Sequence, residues 1–160
     1  MTREEFLARF GPVFENRPDL PEAVWAAGPD ASSAEALHRD FVDVLRGLSP
    51  ADRHAFLNGH LDLAGRLLEA GRVTADSARE QGSAGLDAMN GAARARFLAL
   101  NRAYRARFGF PFVMAARDRR PEEEILAAFE DRLGRDPAAE EEEALRQVER
   151  VLLLRLRDRF

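Results

Sequence analysis

His60, Ser77, Glu80 and Gln81 are the residues whose types and spacing suit proton transfer and hydrogen bonding to a small molecule. His60 follows Asn58-Gly59, a helix stop, and opens a new helical segment, Leu61-Asp62-Leu63-Ala64-Gly65-Arg66. A helix N-terminus lowers a histidine's proton affinity and offers free backbone N–H groups to an anion. Histidine is also the side chain best suited to proton transfer near neutral pH. The other reading of His60 is a partly buried histidine that caps a turn. Ser77, Glu80 and Gln81 stand at i, i+3 and i+4, so they share one helical face, with Thr74 as N-cap. A hydroxyl, a carboxylate and an amide together supply both donors and acceptors, which a ureido- and carbonyl-rich ligand requires. A solvated polar face paired with Arg72 or Arg79 is the alternative.

A third segment, Phe110-Pro111-Phe112-Val113-Met114-Ala115-Ala116, follows Gly109 and is apolar throughout. Proline opposes continuation of the helix. Buried irregular backbone must satisfy its N–H and C=O groups, and a ligand is one partner for them. A buried connector between core helices fits the same residues. His38 and His54 lie in amphipathic helices beside acids and arginines and read as surface or boundary residues.

Composition removes several chemistries. The chain of 160 residues contains no cysteine, which excludes disulfides, thiolate metal sites and cysteine nucleophiles. It contains no lysine either, so Schiff-base chemistry, a pyridoxal anchor and a Walker-type phosphate loop all lack their amine. A formal net charge of −4 gives no electrostatic case for nucleic acid as a partner. No apolar run approaches the ~20 residues that span a bilayer. Met1-Thr2-Arg3-Glu4-Glu5 lacks the apolar stretch of a signal peptide, so a cytoplasmic protein is expected.

The elements that must position these residues are helices. Ser49-Pro50-Ala51-Asp52 sets a capping serine before a first-position proline and an acid. Asp136-Pro137 followed by Glu140 to Glu143 repeats the design for the last helix. Gly47, Gly71, Gly109 and Gly134 read as stops. Apolar residues recur by threes and fours at Phe97, Leu100, Tyr104 and Phe108, and again at Leu145, Val148, Leu152 and Leu156. The pattern predicts helices over roughly 3–10, 20–27, 33–46, 50–58, 60–70, 75–86, 90–108, 121–134 and 137–158. The fold class is all-α, a single-domain bundle of about eight or nine helices covering 1–160. Phe110 to Ala116 is the nearest thing to a strand, short and isolated. The acidic run Glu140-Glu141-Glu142-Glu143 reads as a solvated first helical turn rather than a metal site.

Taken in order, these segments resemble the OHCU decarboxylase family. OHCU is 2-oxo-4-hydroxy-4-carboxy-5-ureidoimidazoline, which that family decarboxylates to (S)-allantoin in urate degradation. The family pattern is His-Pro-x-Leu-Ala-Gly-(Arg/Lys), then Ser-x-x-Glu-Gln, then Asn-x-x-Tyr-x-x-(Arg/Lys)-Phe-Gly-(Phe/His)-Pro-Phe. Here the motifs run His60 to Arg66, Ser77 to Gln81 and Asn101 to Phe112. Pro21-Glu22-Ala23-Val24-Trp25 and the ending with Leu152, Arg155 and Leu156 are similar too.

The resemblance implies His60 as proton donor or acceptor and Glu80 as its catalytic partner. It implies Ser77 and Gln81 as substrate ligands beside Leu61. It further implies that the backbone of Phe112, Val113, Met114, Ala115 and Ala116 binds the imidazoline ring. A helical homodimer acting on a small molecule, without metal or other cofactor, is the form it implies. One departure stands out: Leu61 occupies the family's proline position. Leucine restores backbone freedom and an N–H that proline lacks. It opens three readings: a tolerated change, a decarboxylase of a related ureido acid, or a non-catalytic helical binding module.

Overall fold

The computed structural model describes residues 1–14, 16–60, 91–115 and 122–160. Among these residues every regular element is helical: α1 (Arg3–Phe10), α2 (Asp19–Ala26), α3 (Ala34–Arg46), α4 (Pro50–Asn58), α5 (Gly91–Phe108), α6 (Glu122–Leu133) and α7 (Pro137–Arg157), with a 3-10 turn at Gly11–Val13. The all-α expectation holds, and the seven helices fall within a residue or so of their expected limits. The helices expected over 60–70 and 75–86 lie outside the described residues.

Local chemistry sets the helix ends. Ser49 accepts a hydrogen bond from Asp52 N at 3.1 Å, and Pro50 occupies the first helical position of α4. Ser33 caps α3 in the same way through Ala36 N. Thr2 and Glu5 form a reciprocal capping box on α1. Asp136 Oδ2 accepts from Ala138 N at 3.2 Å and opens α7. Gly109 ends α5 with φ +77°, a left-handed conformation that side chains disfavour.

Two compact units divide the chain: Met1–Gly59 with Val148–Phe160, and His60–Gln147. In the first, α1 packs on α2 and α2 on α3. Its core is largely aromatic: Phe6, Phe10 and Phe41 are fully buried, and Phe14 stacks on Phe41 at 5.2 Å. Arg155 is buried within this unit, where its Nη1 donates to Val13 O at 3.0 Å. His38 Nε2 lies 2.8 Å from Glu149 O, and both His38 and His54 are half-buried, as boundary residues should be.

In the second unit α5 packs against α6. Phe97, Tyr104 and Phe108 are buried, while Leu100 is only half-buried. The segment Phe110–Ala115 forms no regular element, and Phe110, Phe112, Val113, Met114 and Ala115 are all buried.

The acidic run corrects one expectation. Glu140 is completely buried, and Glu141, Glu142 and Glu143 are half-buried rather than solvated. The reason is register. Glu140 stands four and eight residues before Ala144 and Val148, both buried, so it lies on the apolar face of α7.

Candidate active site

The site is best built outward from Phe112–Ala115, the expected substrate-binding segment that falls within the described residues. Gly109 turns the chain out of α5, and the apolar run that follows is taken into the interior of the second unit. Phe112 stacks on Phe129 of α6 with centroids 3.9 Å apart and planes at 12°. Tyr104 of α5 meets Phe112 edge-on at 5.4 Å. These aromatic contacts fix the ring, but the peptide groups still need polar partners.

Two side chains supply them. Arg132 of α6 donates through Nη1 to Val113 O at 2.6 Å. Gln147 of α7 accepts through Oε1 from Ala115 N at 2.9 Å. Both partners are themselves held. Arg132 Nε donates to Glu140 Oε1 at 2.7 Å, and its guanidinium sits 4.4 Å from the Phe112 ring centroid. Gln147 Nε2 donates to Glu143 Oε1 at 2.9 Å.

Arg132 and Glu140 form a buried ion pair, with side chains 6% and 0% exposed. Such a pair gains little over apolar packing, but deleting one partner costs about 3–5 kcal/mol because it strands the other charge. Tyr104 adds a third member, donating Oη–H to Glu140 Oε1 at 2.5 Å. Among the described residues Glu140 Oε2 has no hydrogen-bond partner, and Arg132 Nη2 makes none either although it stands near Oε1. Burial, reinforced by the bond to Glu140, pushes the Tyr104 phenol well above its ordinary range, against the opposing pull of Arg132. Burial raises the Glu143 carboxyl, but the Gln147 amide and the Arg132 and Arg146 charges outweigh it and hold it below its ordinary value.

Of the residues named from the sequence, Phe112, Val113, Met114 and Ala115 are brought together in this interior segment. His60 is half-buried, directly after Gly59, the C-cap of α4. Leu61, Ser77, Glu80, Gln81 and Ala116 lie outside the described residues. Among the described residues no group of three or more His, Cys, Asp or Glu is placed to hold a metal ion.

Sequence reasoning missed Arg132, Glu140 and Gln147. A signal was present for the first two. Arg132 continues the buried series Ile125, Phe129 of α6 at a step of three, and Glu140 precedes Ala144 at a step of four. A charge on an apolar face at each of two neighbouring helices is the pattern of a buried pair.

The comparisons agree along the whole chain. The OHCU decarboxylase family model matches residues 1–157. A 2-oxo-4-hydroxy-4-carboxy-5-ureidoimidazoline decarboxylase of Amia calva is 41% identical over 160 residues, spanning 99% of this chain and 89% of that protein. The Mus musculus protein of the same name is 41% identical over 156 residues, 96% of this chain and 85% of its own length. Among solved structures, an (S)-allantoin synthase superposes with TM-score 0.78 at 23% identity, over 100% of this chain and 51% of that one. An OHCU decarboxylase crystallised in the presence of (S)-allantoin gives TM-score 0.70 at 18% identity, over 97% and 96%. The structural likeness shows a shared helical fold. The sequence match defines a carboxy-lyase. The chain belongs to the OHCU decarboxylase family.

Proposed function

We propose that this protein decarboxylates OHCU to (S)-allantoin, with His60 exchanging the proton and Glu80 holding or tuning it. The observation that carries the reading is the match over nearly the full chain to decarboxylases of that substrate. It is supported by three motifs in order, His60 to Arg66, Ser77 to Gln81 and Asn101 to Phe112.

The carbon–carboxylate bond breaks, carbon dioxide leaves, and the electron pair passes into the substrate's own conjugated C=N or carbonyl group. That acceptor removes any need for an amine or a metal. The protein's part is to hold the departing carboxylate out of the ring plane, to stabilise the developing charge and to deliver one proton to one face. His60 delivers it. Ser77, Gln81 and Leu61 bind the substrate, and the backbone of Phe112 to Ala116 binds the imidazoline ring.

The test is the circular dichroism of OHCU generated in situ from urate, with and without the protein. Rapid growth of optically pure (S)-allantoin is expected. Decay at the spontaneous rate to racemic product, from a folded sample, would leave the binding module or another ureido acid. His60→Ala is expected to lower turnover by ~10²-fold or more while the helical signal persists. A fully active His60→Ala enzyme sinks the assignment. Leu61→Pro separates the readings of that departure: unchanged activity means leucine is tolerated, and a marked gain means it is a defect. The active form is a cytoplasmic homodimer in this reading, which sedimentation of the purified protein checks for its dimeric part.

A further inference from the structure

We propose that Arg132 and Gln147 are positioning residues that aim the backbone of Met114 at the substrate. The inference rests on the decarboxylase reading and on the ring-binding role it gives to this segment. Arg132 holds Val113 O, and Gln147 holds Ala115 N, so the two peptide units flanking Met114 are each gripped on one side. Peptide units are planar and, here, trans. In a trans unit the C=O and N–H point in opposite directions. Fixing Val113 O therefore fixes the direction of the Met114 N–H, and fixing Ala115 N fixes that of the Met114 C=O.

Neither of Met114's own backbone groups has a hydrogen-bond partner among the described residues. The result is one donor and one acceptor on the same residue, each directed away from its holder. A ring carrying amide-like N–H and C=O edges takes such a pair. Preorganised groups bind better because their ordering is complete before the ligand arrives.

The holders reach across sequence in a way that fits this task. Arg132 is itself fixed by Glu140, and Gln147 by Glu143, so both anchors trace back to the first two turns of α7. The half-buried Gln147 is the gentler handle, since its replacement strands no charge.

The experiment compares Gln147→Met with the swapped pair Glu143→Gln/Gln147→Glu. Methionine keeps the volume but accepts no strong hydrogen bond. In the swapped pair the carboxylate at 147 accepts from Ala115 N and the amide at 143 donates to it, which restores the same chain of bonds. We expect Gln147→Met to raise KM for OHCU about tenfold with kcat within twofold of wild type, the mark of lost uniform binding. The swapped pair is expected to return KM to within about threefold of wild type. A merely structural role would lower thermal stability without moving the KM of the folded enzyme. An unchanged KM in Gln147→Met, or a swapped pair no better than Gln147→Met, overturns the positioning role while the decarboxylase reading stands. An inert wild-type enzyme overturns both.

Discussion

Tyr104 is the only tyrosine in the chain, which makes the buried cluster beside Phe112 directly readable. Its phenol is pushed above its ordinary value of 10.0, by burial first and by the bond to Glu140 second. A raised folded value favours the protonated form, so its contribution to stability is whole below the unfolded value and falls as pH rises towards the folded one. The folded protein is therefore expected to show no phenolate absorbance at about pH 11, where a free tyrosine is mostly ionised. The signal should appear only with unfolding, and in denaturant it should titrate near the ordinary value. A folded protein that titrates near pH 10 would mean that the Tyr104–Glu140 bond does not hold in solution. The sequence placed Tyr104 correctly on a buried face, because the step of three and four is a local signal. It did not reveal the hydroxyl's partner, which stands 36 residues away on α7. Glu140 was misread for a related reason: four adjacent acids look alike in composition, and only their register against Ala144 and Val148 separates the buried one.

At the scale of elements, the caps were legible and the irregular segment was not. Ser49-Pro50 and Asp136-Pro137 act on N–H groups two or three residues away, so a short stretch of sequence contains the whole interaction. Ser49→Ala should cost about 1 kcal/mol of unfolding free energy, read from the denaturant midpoint at an unchanged slope. Gly109 is the sterner case. Its φ of +77° ends α5 and redirects the chain into Phe110–Ala115. Gly109→Ala should cost about 1–2 kcal/mol for the left-handed conformation alone. An alanine tolerated without loss would show that the turn relaxes to a right-handed cap. By contrast, the backbone of Phe112–Ala115 finds its partners 19 residues ahead at Arg132 and 32 ahead at Gln147. Sequence reading left a ligand and a buried connector both open there. The structure shows the burial: the segment is interior, Arg132 and Gln147 take up Val113 O and Ala115 N, and Met114's groups have no partner among the described residues.

The charge of the whole molecule is balanced between 24 arginines and 28 acids, and the two sides titrate very differently. Arginine keeps its proton throughout the accessible range. The acids do not, and several are held below their ordinary values by partners in the fold. Asp19 is lowered chiefly by Arg17 and Glu35 chiefly by Arg157, while Glu143 is lowered by Gln147, Arg132 and Arg146 against the effect of burial. A depressed folded value contributes stability that is present above the unfolded value and is lost as pH falls through the folded one. The thermal midpoint is therefore expected to fall steadily below about pH 4.5, with little change across neutral pH. Two causes act together there: loss of the specific bonds, and repulsion among arginines whose counter-charges have been neutralised. Salt separates them. If repulsion dominates, added salt raises the midpoint at about pH 3.5 while slightly lowering it at neutral pH, where the exposed pairs are attractive. If lost hydrogen bonds dominate, salt has little effect at low pH. With 24 fixed positive charges on 160 residues, the first outcome is expected, and a midpoint that salt lowers at both pH values would overturn it.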